Sequence, residues 1–387
     1  LQEATMNYLK DLKEQFTFDQ LLLIFTCFSF TFPFYILGPI LLIEFIYLLV
    51  SKKAIIALKQ TPQIKFLYLS ISIIHKNILG ALATLGIFIV IILMVYYRKH
   101  INQSTFEFII DMLIVLSILW AIYGIYEQFQ IYHRLGVDHF TFKVYARREN
   151  RLNSVFYNAN YYAMMIEFIA VCTVYKFFTV KNNLKISIFY VIVGFLNLFM
   201  LYMTGCRAGY VAIAGAICLF LIFNKNYKLC VLIALGCLGI AGFFVLNPDK
   251  FPRIEYLISN LDVRIQIWSC AIQGIKASPL LGQGPFTYMM ILDKYNGHLT
   301  QHAHSVYLDP LLSFGIIGLA CLVPYIYDNC KRLYKVKEHY SYIALVMGFI
   351  SVLLIHGILD YTIFWIHTGL FFLFVLSSFE MFETNRN

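Results

Sequence analysis

The chain has 387 residues, of which 60% are hydrophobic and only 13% charged, and its mean hydropathy is +0.73. These values exclude a soluble globular domain, and they predict an all-α, multi-spanning membrane protein. The net charge of +9 would also suit nucleic-acid binding, but the basic residues fall in the gaps between apolar runs. Membrane topology and lipid headgroups account for most of them there, so we expect membrane lipids as partners and no nucleic acid.

Apolar runs divide the chain into predicted membrane spans, because a bilayer core takes about 20 apolar residues per helix. We predict about twelve transmembrane helices in a single transmembrane domain over residues 1–387. No small-residue cleavage site follows the first apolar run, so the first helix is expected to direct insertion itself. The predicted spans are 19–36, 38–50, 63–75, 78–97, 107–127, 159–179, 185–204, 207–223, 229–246, 304–327, 341–358 and 361–379.

The basic residues predict how these spans are oriented. If the amino terminus is cytoplasmic, the inside connections carry most of the lysines and arginines, whereas the short outside connections carry only Lys76 and Arg207. Both termini are then predicted in the cytoplasm. The two long connections, 128–158 and 247–303, must face outward although each is basic. Positive charge there suggests an anionic ligand, although long loops translocate largely regardless of charge.

The second long connection contains a predicted amphipathic helix near 262–276. Asp262 is a candidate N-cap, and apolar residues follow at the helical spacing that is typical of a helix lying at a membrane surface. The turn-forming sequence SPLLGQG at 278–284 is predicted to end this helix. The apolar residues are Ile265, Trp268, Ile272 and Ile275.

Two histidines, His302 and His304, precede an apolar stretch and are candidate general bases. A histidine near neutral pH can accept a proton from a hydroxyl and so make it nucleophilic. On spacing alone, the sequence slightly favours boundary residues that only hydrogen-bond a headgroup or the backbone. An HxH pair also suggests a metal, but the sequence places no third ligand beside it, and the nine cysteines form no CxxC pair. We therefore predict no metal and no disulfide framework.

Helical offsets relate His304 to two glycines. On one continuous helix, Gly315 and Gly318 would lie within about 40° of His304 and offer a neighbouring helix a close-packing surface. Pro310 would either kink such a helix or begin it with Asp309 as the N-cap, leaving both histidines on the preceding loop. Either arrangement holds the histidines at the water boundary of a membrane segment.

Two arginines are candidate anion ligands. Arg207 lies in LYMTGCRAGYVAIAGA, and an arginine so near the hydrocarbon is costly unless it is paired or solvated. A functional role is therefore favoured over snorkelling at a helix end. Arg264, in the amphipathic helix, could grip a phosphate through two hydrogen bonds or simply contact a lipid headgroup.

Polar residues beside other predicted spans complete the candidate set. Asp360 follows His356 by one turn, and it could orient a base or an arginine or act as a capping residue. The tract RLNSVFYNANYYA holds Arg151 and Asn160 among aromatic residues. Such a combination suits contact with a sugar and an interfacial aromatic belt equally well.

Several common catalytic motifs are absent from the sequence. It has no Walker A motif and no GxSxG, HExxH or DxD motif. The usual parts for ATP hydrolysis, serine hydrolysis, zinc proteolysis and metal-held nucleotide-sugar transfer are therefore missing. An activated donor that is not a nucleotide becomes attractive, and no cofactor is expected.

The ordered motifs resemble the O-antigen ligase and polymerase superfamily of bacterial glycan assembly. His304-Ser305, nine residues, Gly315, two residues and Gly318 match the HSx9GxxG form of the ligase signature. The likeness covers roughly residues 150–370. NANYYA, TGCRAG, DVRIQIW, LLGQGPF and HGILD appear in the family's order.

The resemblance implies an inverting glycosyltransferase that needs neither metal nor ATP and works at the outer face of the bacterial cytoplasmic membrane. Such proteins move a glycan from undecaprenyl diphosphate to a hydroxyl acceptor. His304 would be the general base, while Arg207 and Arg264 would hold the diphosphate. Asp360 would orient groups or act electrostatically. The residues expected to support the site are His302, Asp360, Asn160 and Arg151.

Three activities fit this set of features. The leading one is a ligase that adds a lipid-linked polysaccharide to a glycolipid or other terminal acceptor, as the HSx9GxxG signature favours. A polymerase that joins lipid-linked repeat units shares the scaffold and differs in its acceptor site. A transporter of the same glycans is the third, although transporters commonly bind at the membrane midplane, whereas here the charged groups gather on outer loops.

Overall fold

The computed structural model describes residues 15–60, 64–137, 139, 141–145, 147–180, 183–248, 251, 253 and 256–382. Within these ranges the chain is helical, with short 3₁₀ turns and no β-strand, which confirms the all-α prediction. The α-helices are α1 (Phe18–Phe28), α2 (Phe34–Val50), α3 (Lys53–Gln60), α4 (Ile64–Ile74), α5 (Ile78–Tyr97), α6 (Gln103–Arg134), α7 (Ala159–Thr179), α8 (Leu184–Thr204), α9 (Arg207–Phe223), α10 (Tyr227–Leu246), α11 (Leu257–Ala277), α12 (Thr287–Ile291), α13 (Leu308–Ala320), α14 (Val323–Lys335), α15 (Tyr340–His356) and α16 (Ile366–Ser377).

Many of these helices are apolar enough to lie in a membrane. In the part of the chain that the structure describes, five are also long enough to cross one: α5, α6, α7, α8 and α10. Two bent pairs, α2 with α3 and α13 with α14, raise the number to seven if each pair forms one span. The shorter helices α1, α9, α15 and α16 are apolar as well. The protein is therefore a multi-pass membrane protein, and the number of twelve spans stays a prediction.

The centre of the bundle is α7, in which most residues are buried. It packs against α8, α9 and α15, and α9 in turn packs closely along α15. By contrast, α10 is apolar after its first turn and has no buried residue. Exposure of so much apolar surface to water would be costly, so α10 fits a position in contact with lipid.

The helix α6 is longer than the sequence prediction. It continues to Arg134 and so enters the segment 128–158 that was expected to be a loop. The added turns are held by burial, because Ile131 and Tyr132 lie inside the protein. The connection that leads to α7 is correspondingly shorter.

The predicted amphipathic helix of the second long connection is α11, but its start was predicted wrongly. It begins at Leu257, so Asp262 lies inside the helix and does not cap it. Ile265 and Ile272 are exposed, whereas Ala271 on another face is buried. The helix therefore has an exposed apolar face, and its position at a membrane surface stays a prediction.

The histidines lie on a loop and not on a helix. α13 begins at Leu308, with Pro310 in its first turn, so a continuous helix that includes His304 is wrong. The alternative arrangement, with the histidines before the helix, is correct. Its N-cap is Tyr307, however, and Asp309 lies within the first turn.

Gly315 interrupts α13 and does not share a helical face with the histidines. Its φ of 62° and ψ of −174° break the helix. A Cβ at this position would collide with the backbone of Leu280, because the turn 278–284 lies directly against it. The Ile316 N–H donates to the Pro279 carbonyl at 2.9 Å. The glycine thus allows the turn after α11 to dock on α13 backbone to backbone.

The two ends of the bundle carry different groups. At the carboxyl end of α7, Lys176 pairs with Glu107 at 2.7 Å and with Asp111 at 2.9 Å. At the same end, Arg98 pairs with Glu380 at 3.0 Å. The candidate site residues lie at the opposite end, where α7 and α9 begin. Which end faces the cytoplasm stays a prediction.

Candidate active site

The candidate site lies where α7 and α9 begin and α15 ends. Arg151 is on the loop before α7, both histidines are on the loop before α13, Asp360 is on the turn after α15, and Arg264 is on α11. Six of the seven residues predicted from sequence form one connected cluster, and Arg207 lies next to it. The six are His302, His304, Asp360, Asn160, Arg151 and Arg264.

His304 and Asp360 form a hydrogen-bonded pair. His304 Nδ1 lies 2.7 Å from Asp360 Oδ1. Because a carboxylate only accepts hydrogen bonds, Nδ1 is the donor, and in the neutral form of the ring the lone pair is then on Nε2. The same Oδ1 accepts the Tyr361 N–H at 2.8 Å, which fixes the carboxylate. A base oriented in this way by a second group is the arrangement used to activate hydroxyl nucleophiles.

Asp360 is the centre of a chain of polar contacts. Its Oδ2 accepts a hydrogen bond from the Asn160 amide, and Asn160 Oδ1 accepts one from Arg151 Nη2 at 2.9 Å. Arg264 Nη2 lies 3.9 Å from the same Oδ2. Burial raises the pKa of Asp360, but the charge and hydrogen bond of His304, followed by the charge of Arg264, hold that pKa well below its ordinary value. Asp360 therefore stays ionised.

The second ring nitrogen of His304 faces a hydroxyl group. Nε2 lies 2.9 Å from Thr300 Oγ1, and with Nδ1 carrying the ring proton, the hydroxyl is the donor. The His304 side chain is 20% exposed, so the ring is reachable from outside the bundle. An acceptor hydroxyl in place of Thr300 would meet the same lone pair. The sequence analysis missed Thr300, because no motif marks a threonine in this loop.

His302 supports the loop from within. It is buried, and its Nδ1 accepts the His304 backbone N–H at 3.3 Å. Burial, the charge of His304 and the charge of Arg264 lower the pKa of His302 to about 3. His302 is therefore neutral near pH 7.

The histidine loop is held from two sides. The Asp309 carboxylate accepts the Ala303 N–H at 2.6 Å, and the Gly357 carbonyl accepts the Val306 N–H at 2.8 Å. His304 itself has a φ of 48°, which costs a residue other than glycine about 1 kcal/mol. Such conformations persist where the surrounding structure fixes the backbone, and they are common at active sites.

Three guanidinium groups share one small region. The Nη1 atom of Arg264 is buried and has no hydrogen-bond partner among the described residues. Burial lowers the pKa of Arg151, and the nearby charges of Arg207 and Arg264 add to this effect. An arginine remains protonated in spite of such a shift, so the region holds mutually repelling positive charges. An anion bound there would relieve the repulsion and satisfy the buried donor.

Arg207 is the first residue of α9 and has a neighbouring arginine that the sequence analysis did not single out. Arg207 Nη1 donates to the Arg253 carbonyl at 3.1 Å, and Arg253 Nη1 donates to the Gly205 carbonyl at 3.1 Å. Both guanidinium groups therefore lie beside the amino terminus of α9, where the helix dipole also favours an anion. Arg253 was hidden from sequence reasoning because it is one of several basic residues in a long loop.

Among the residues that the structure describes, one group of side chains could hold a metal ion. Ligand atoms of His302, His304 and Asp360 lie within 4.8 Å of one another. The sequence argument against a metal assumed that no third ligand is near the histidines, and Asp360 supplies one. Two imidazoles and a carboxylate suit zinc and related divalent ions. In the structure, His304 and Asp360 are instead joined by a hydrogen bond at 2.7 Å.

His356 has a different partner from the one its place in the sequence suggests. It does not pair with the side chain of Asp360, one turn away, but lies 2.8 Å from the Glu167 carboxylate on α7. Glu167 was also missed, although an acid inside an otherwise apolar predicted span was an available signal.

A family model described as O-antigen ligase matches residues 192–323 of this chain. The matched segment contains Arg207, Arg264 and His304, while Asp360 lies beyond it. A comparison with curated proteins found no match. The match covers about a third of the chain, agrees with the ordered sequence motifs and supports a relationship to the O-antigen ligase and polymerase superfamily.

Proposed function

We propose that this protein transfers a glycan from undecaprenyl diphosphate to a hydroxyl acceptor at the outer face of the bacterial cytoplasmic membrane. The observation that carries the proposal is the 2.7 Å hydrogen bond between His304 and Asp360, next to the buried and unpartnered Nη1 of Arg264 in the described part of the chain. His304 can take a proton from an acceptor, and Arg264 can bind a diphosphate. The family match supports a lipid-linked glycan as the class of substrate.

His304 acts as the general base in this mechanism. Its Nε2 takes the proton of the acceptor hydroxyl while the hydroxyl oxygen attacks the anomeric carbon of the donor. Asp360 holds the tautomer that leaves Nε2 unprotonated, and it stabilises the imidazolium that forms. Thr300 gives up its hydrogen bond to Nε2 when the acceptor arrives.

Arg264 and Arg207 bind the leaving group. As the new carbon–oxygen bond forms, the bond from the anomeric carbon to the diphosphate oxygen breaks, and its electron pair leaves with undecaprenyl diphosphate. Guanidinium groups already in place stabilise this charge without reorganisation. A single displacement inverts the anomeric configuration. The donor already holds the energy of the bond, so the proposal needs no ATP, metal or cofactor.

A ligase that acts on a glycolipid or another terminal acceptor is the form of this activity that we favour. The polymerase that joins lipid-linked repeat units is the alternative within the same superfamily. The HSx9GxxG pattern around His304 supports the ligase. The length of the product separates the two, because a ligase makes one addition per acceptor and a polymerase makes a ladder.

The proposal includes a topology in which about twelve spans leave both termini in the cytoplasm and the site outside. Asn296 is exposed on the loop that leads to the histidines, so it is a suitable reporter. A cysteine introduced at Asn296 should react with an impermeant maleimide added to intact cells, above the background given by the native cysteines. Labelling only after the cells are opened would contradict the orientation.

Reconstitution of the purified protein tests the activity. Vesicles with an undecaprenyl-diphosphate glycan and candidate acceptors should yield product with the wild type, and a chelator should leave the rate unchanged. Arg264→Lys keeps the positive charge but cannot form two parallel hydrogen bonds to a phosphate. We therefore expect a higher KM for the glycan donor and a lower kcat. Transfer that is lost on chelation and restored by a divalent ion would favour the metal arrangement of His302, His304 and Asp360.

A further inference from the structure

A buried acid and a buried histidine lie beneath the candidate site and take no part in the proposed chemistry. Glu167 is on α7, His356 is the last residue of α15, and both side chains are fully buried. His356 Nδ1 lies 2.8 Å and 3.0 Å from the two Glu167 oxygens. Gly209 on α9 makes room for them, since a Cβ there would lie 2.7 Å from Glu167 Oε1. Burying two ionisable groups in an apolar bundle costs desolvation free energy, so packing alone does not explain the pair.

The His356 ring connects the helices that carry the site. Through Glu167 it is tied to α7, whose first turn holds Asn160. On its other side, Nε2 lies 3.9 Å from the Sγ atom of Cys206, the residue that immediately precedes Arg207 and α9. One imidazole therefore contacts α7, the start of α9 and, through its own backbone, the end of α15.

The backbone around His356 extends this connection to the two groups proposed for catalysis. The His356 carbonyl accepts the Asp360 N–H at 3.2 Å. The next residue, Gly357, accepts the Val306 N–H at 2.8 Å, and this hydrogen bond fixes the loop that carries His304. The end of α15 therefore contacts the segments that carry Asp360, His304 and Arg207.

We propose that Glu167 and His356 are positioning residues that hold Asp360 and the His304 loop in register with Arg207. This inference rests on the proposed function. Without the ring hydrogen bond, the end of α15 can shift relative to α7 and α9, and the proton acceptor then moves away from the bound donor. A displacement of 1 Å between reacting groups can lower a rate by about 100-fold. Neither residue touches the substrate, so donor binding is largely preserved.

The test compares kcat and donor KM for Glu167→Ala and Glu167→Gln in the reconstituted full chain. Glu167→Ala should lower kcat by about 10- to 100-fold and change the donor KM by less than about 3-fold. Glu167→Gln keeps the size of the side chain and an acceptor for Nδ1, so it should retain most of the rate. Glu44→Ala is the matched control, because this carboxyl is also buried but bonds to Thr26 and Tyr97, away from the site. The control should transfer at the wild-type rate.

A double variant distinguishes positioning from general loss of structure. If Glu167 acts through Asp360, then Glu167→Ala should slow the Asp360→Asn protein by less than about 3-fold. The proposal would be overturned if Glu167→Ala lowered kcat in the Asp360→Asn protein by as large a factor as in the wild type. A Glu167→Ala kcat within about 3-fold of the wild type would overturn it as well. If Glu167→Ala fails to fold, His356→Gln replaces it: the same decrease in kcat is expected, and the same results would overturn the proposal. His304→Ala is measured in parallel: transfer by that variant would refute the proposed function itself.

Discussion

Replacing Asp360 by asparagine removes the charge of the carboxylate while it preserves its shape. In the structure, both oxygens accept hydrogen bonds: Oδ1 from the His304 ring and the Tyr361 N–H, and Oδ2 from Asn160. An asparagine must turn its NH₂ group toward one of these two sets of donors. If the NH₂ faces His304, Nδ1 has to accept a hydrogen bond and the ring proton moves to Nε2. That nitrogen can then no longer act as the base.

The other orientation is also damaging. With the NH₂ facing Asn160, that amide must turn over and give up its hydrogen bond from Arg151. In both orientations the negative charge that stabilises the imidazolium is gone. We therefore expect Asp360→Asn to lower kcat by about 10²- to 10⁴-fold, or about 3 to 5.5 kcal/mol of transition-state stabilisation.

The assay is the initial rate of glycan transfer in vesicles at saturating undecaprenyl-diphosphate donor. Asp111→Asn is the matched control, because Asp111 pairs with Lys176 at the opposite end of the bundle. That control should retain the wild-type rate. An Asp360→Asn rate within about 5-fold of the wild type would refute the orienting role of the carboxylate.

Three further predictions follow from the same geometry. Thr300→Val removes the hydroxyl that meets His304 Nε2, so the KM for the acceptor should fall by about 3- to 10-fold in steady-state kinetics, whereas Thr300→Ser should leave it unchanged. A rise in that KM would contradict the idea that an acceptor replaces Thr300. Gly315→Ala should destabilise the protein by about 1 to 3 kcal/mol in detergent unfolding, because φ is 62° and the added Cβ meets backbone. Gly236→Ala, at a position with open space around it, should not destabilise the protein, and equal effects of the two changes would contradict this account. The pKa of Asp360 is depressed in the folded state, so its contribution to stability is present above about pH 4 and is lost as the pH falls further. Unfolding midpoints of the wild type should therefore fall more steeply below about pH 4 than those of Asp360→Asn, and parallel curves would show that the carboxylate contributes nothing.

Apolar runs bounded by polar residues were sufficient to predict much of the helical framework. The span predicted at 159–179 is α7, and the spans predicted to end at 204 and 223 end there as α8 and α9. Composition carries this information because the bilayer fixes the length of an apolar segment. It does not fix how helices bend, and the bends of α2 with α3 and α13 with α14 were not predicted.

The break at Gly315 depends on a contact that sequence spacing does not contain. The turn 278–284 docks on α13 from about thirty residues away, and only this docking explains the positive φ of the glycine. Reading Gly315 as part of a face shared with His304 was therefore wrong. A glycine at this position was an informative signal, but the requirement for glycine comes from a contact in the tertiary structure.

Residue types in the candidate site could be recognised from sequence, whereas their partners could not. Asp360 was expected to orient a base or an arginine, and the structure places it against both His304 and Arg264. His356, its neighbour in sequence, binds Glu167 instead. Such pairings depend on which helix ends are neighbours in space, and the periodicity of a single segment does not determine this.

The central claim is that His304 takes the proton of the acceptor hydroxyl while arginines hold the diphosphate of the donor. The most direct measurement is single-turnover transfer by His304→Ala with the undecaprenyl-diphosphate glycan already bound, together with the Kd for that donor. The account predicts a rate that is lower by about 10²- to 10⁴-fold and a donor Kd within about 3-fold of the wild type. Transfer by His304→Ala at a rate close to that of the wild type would contradict it.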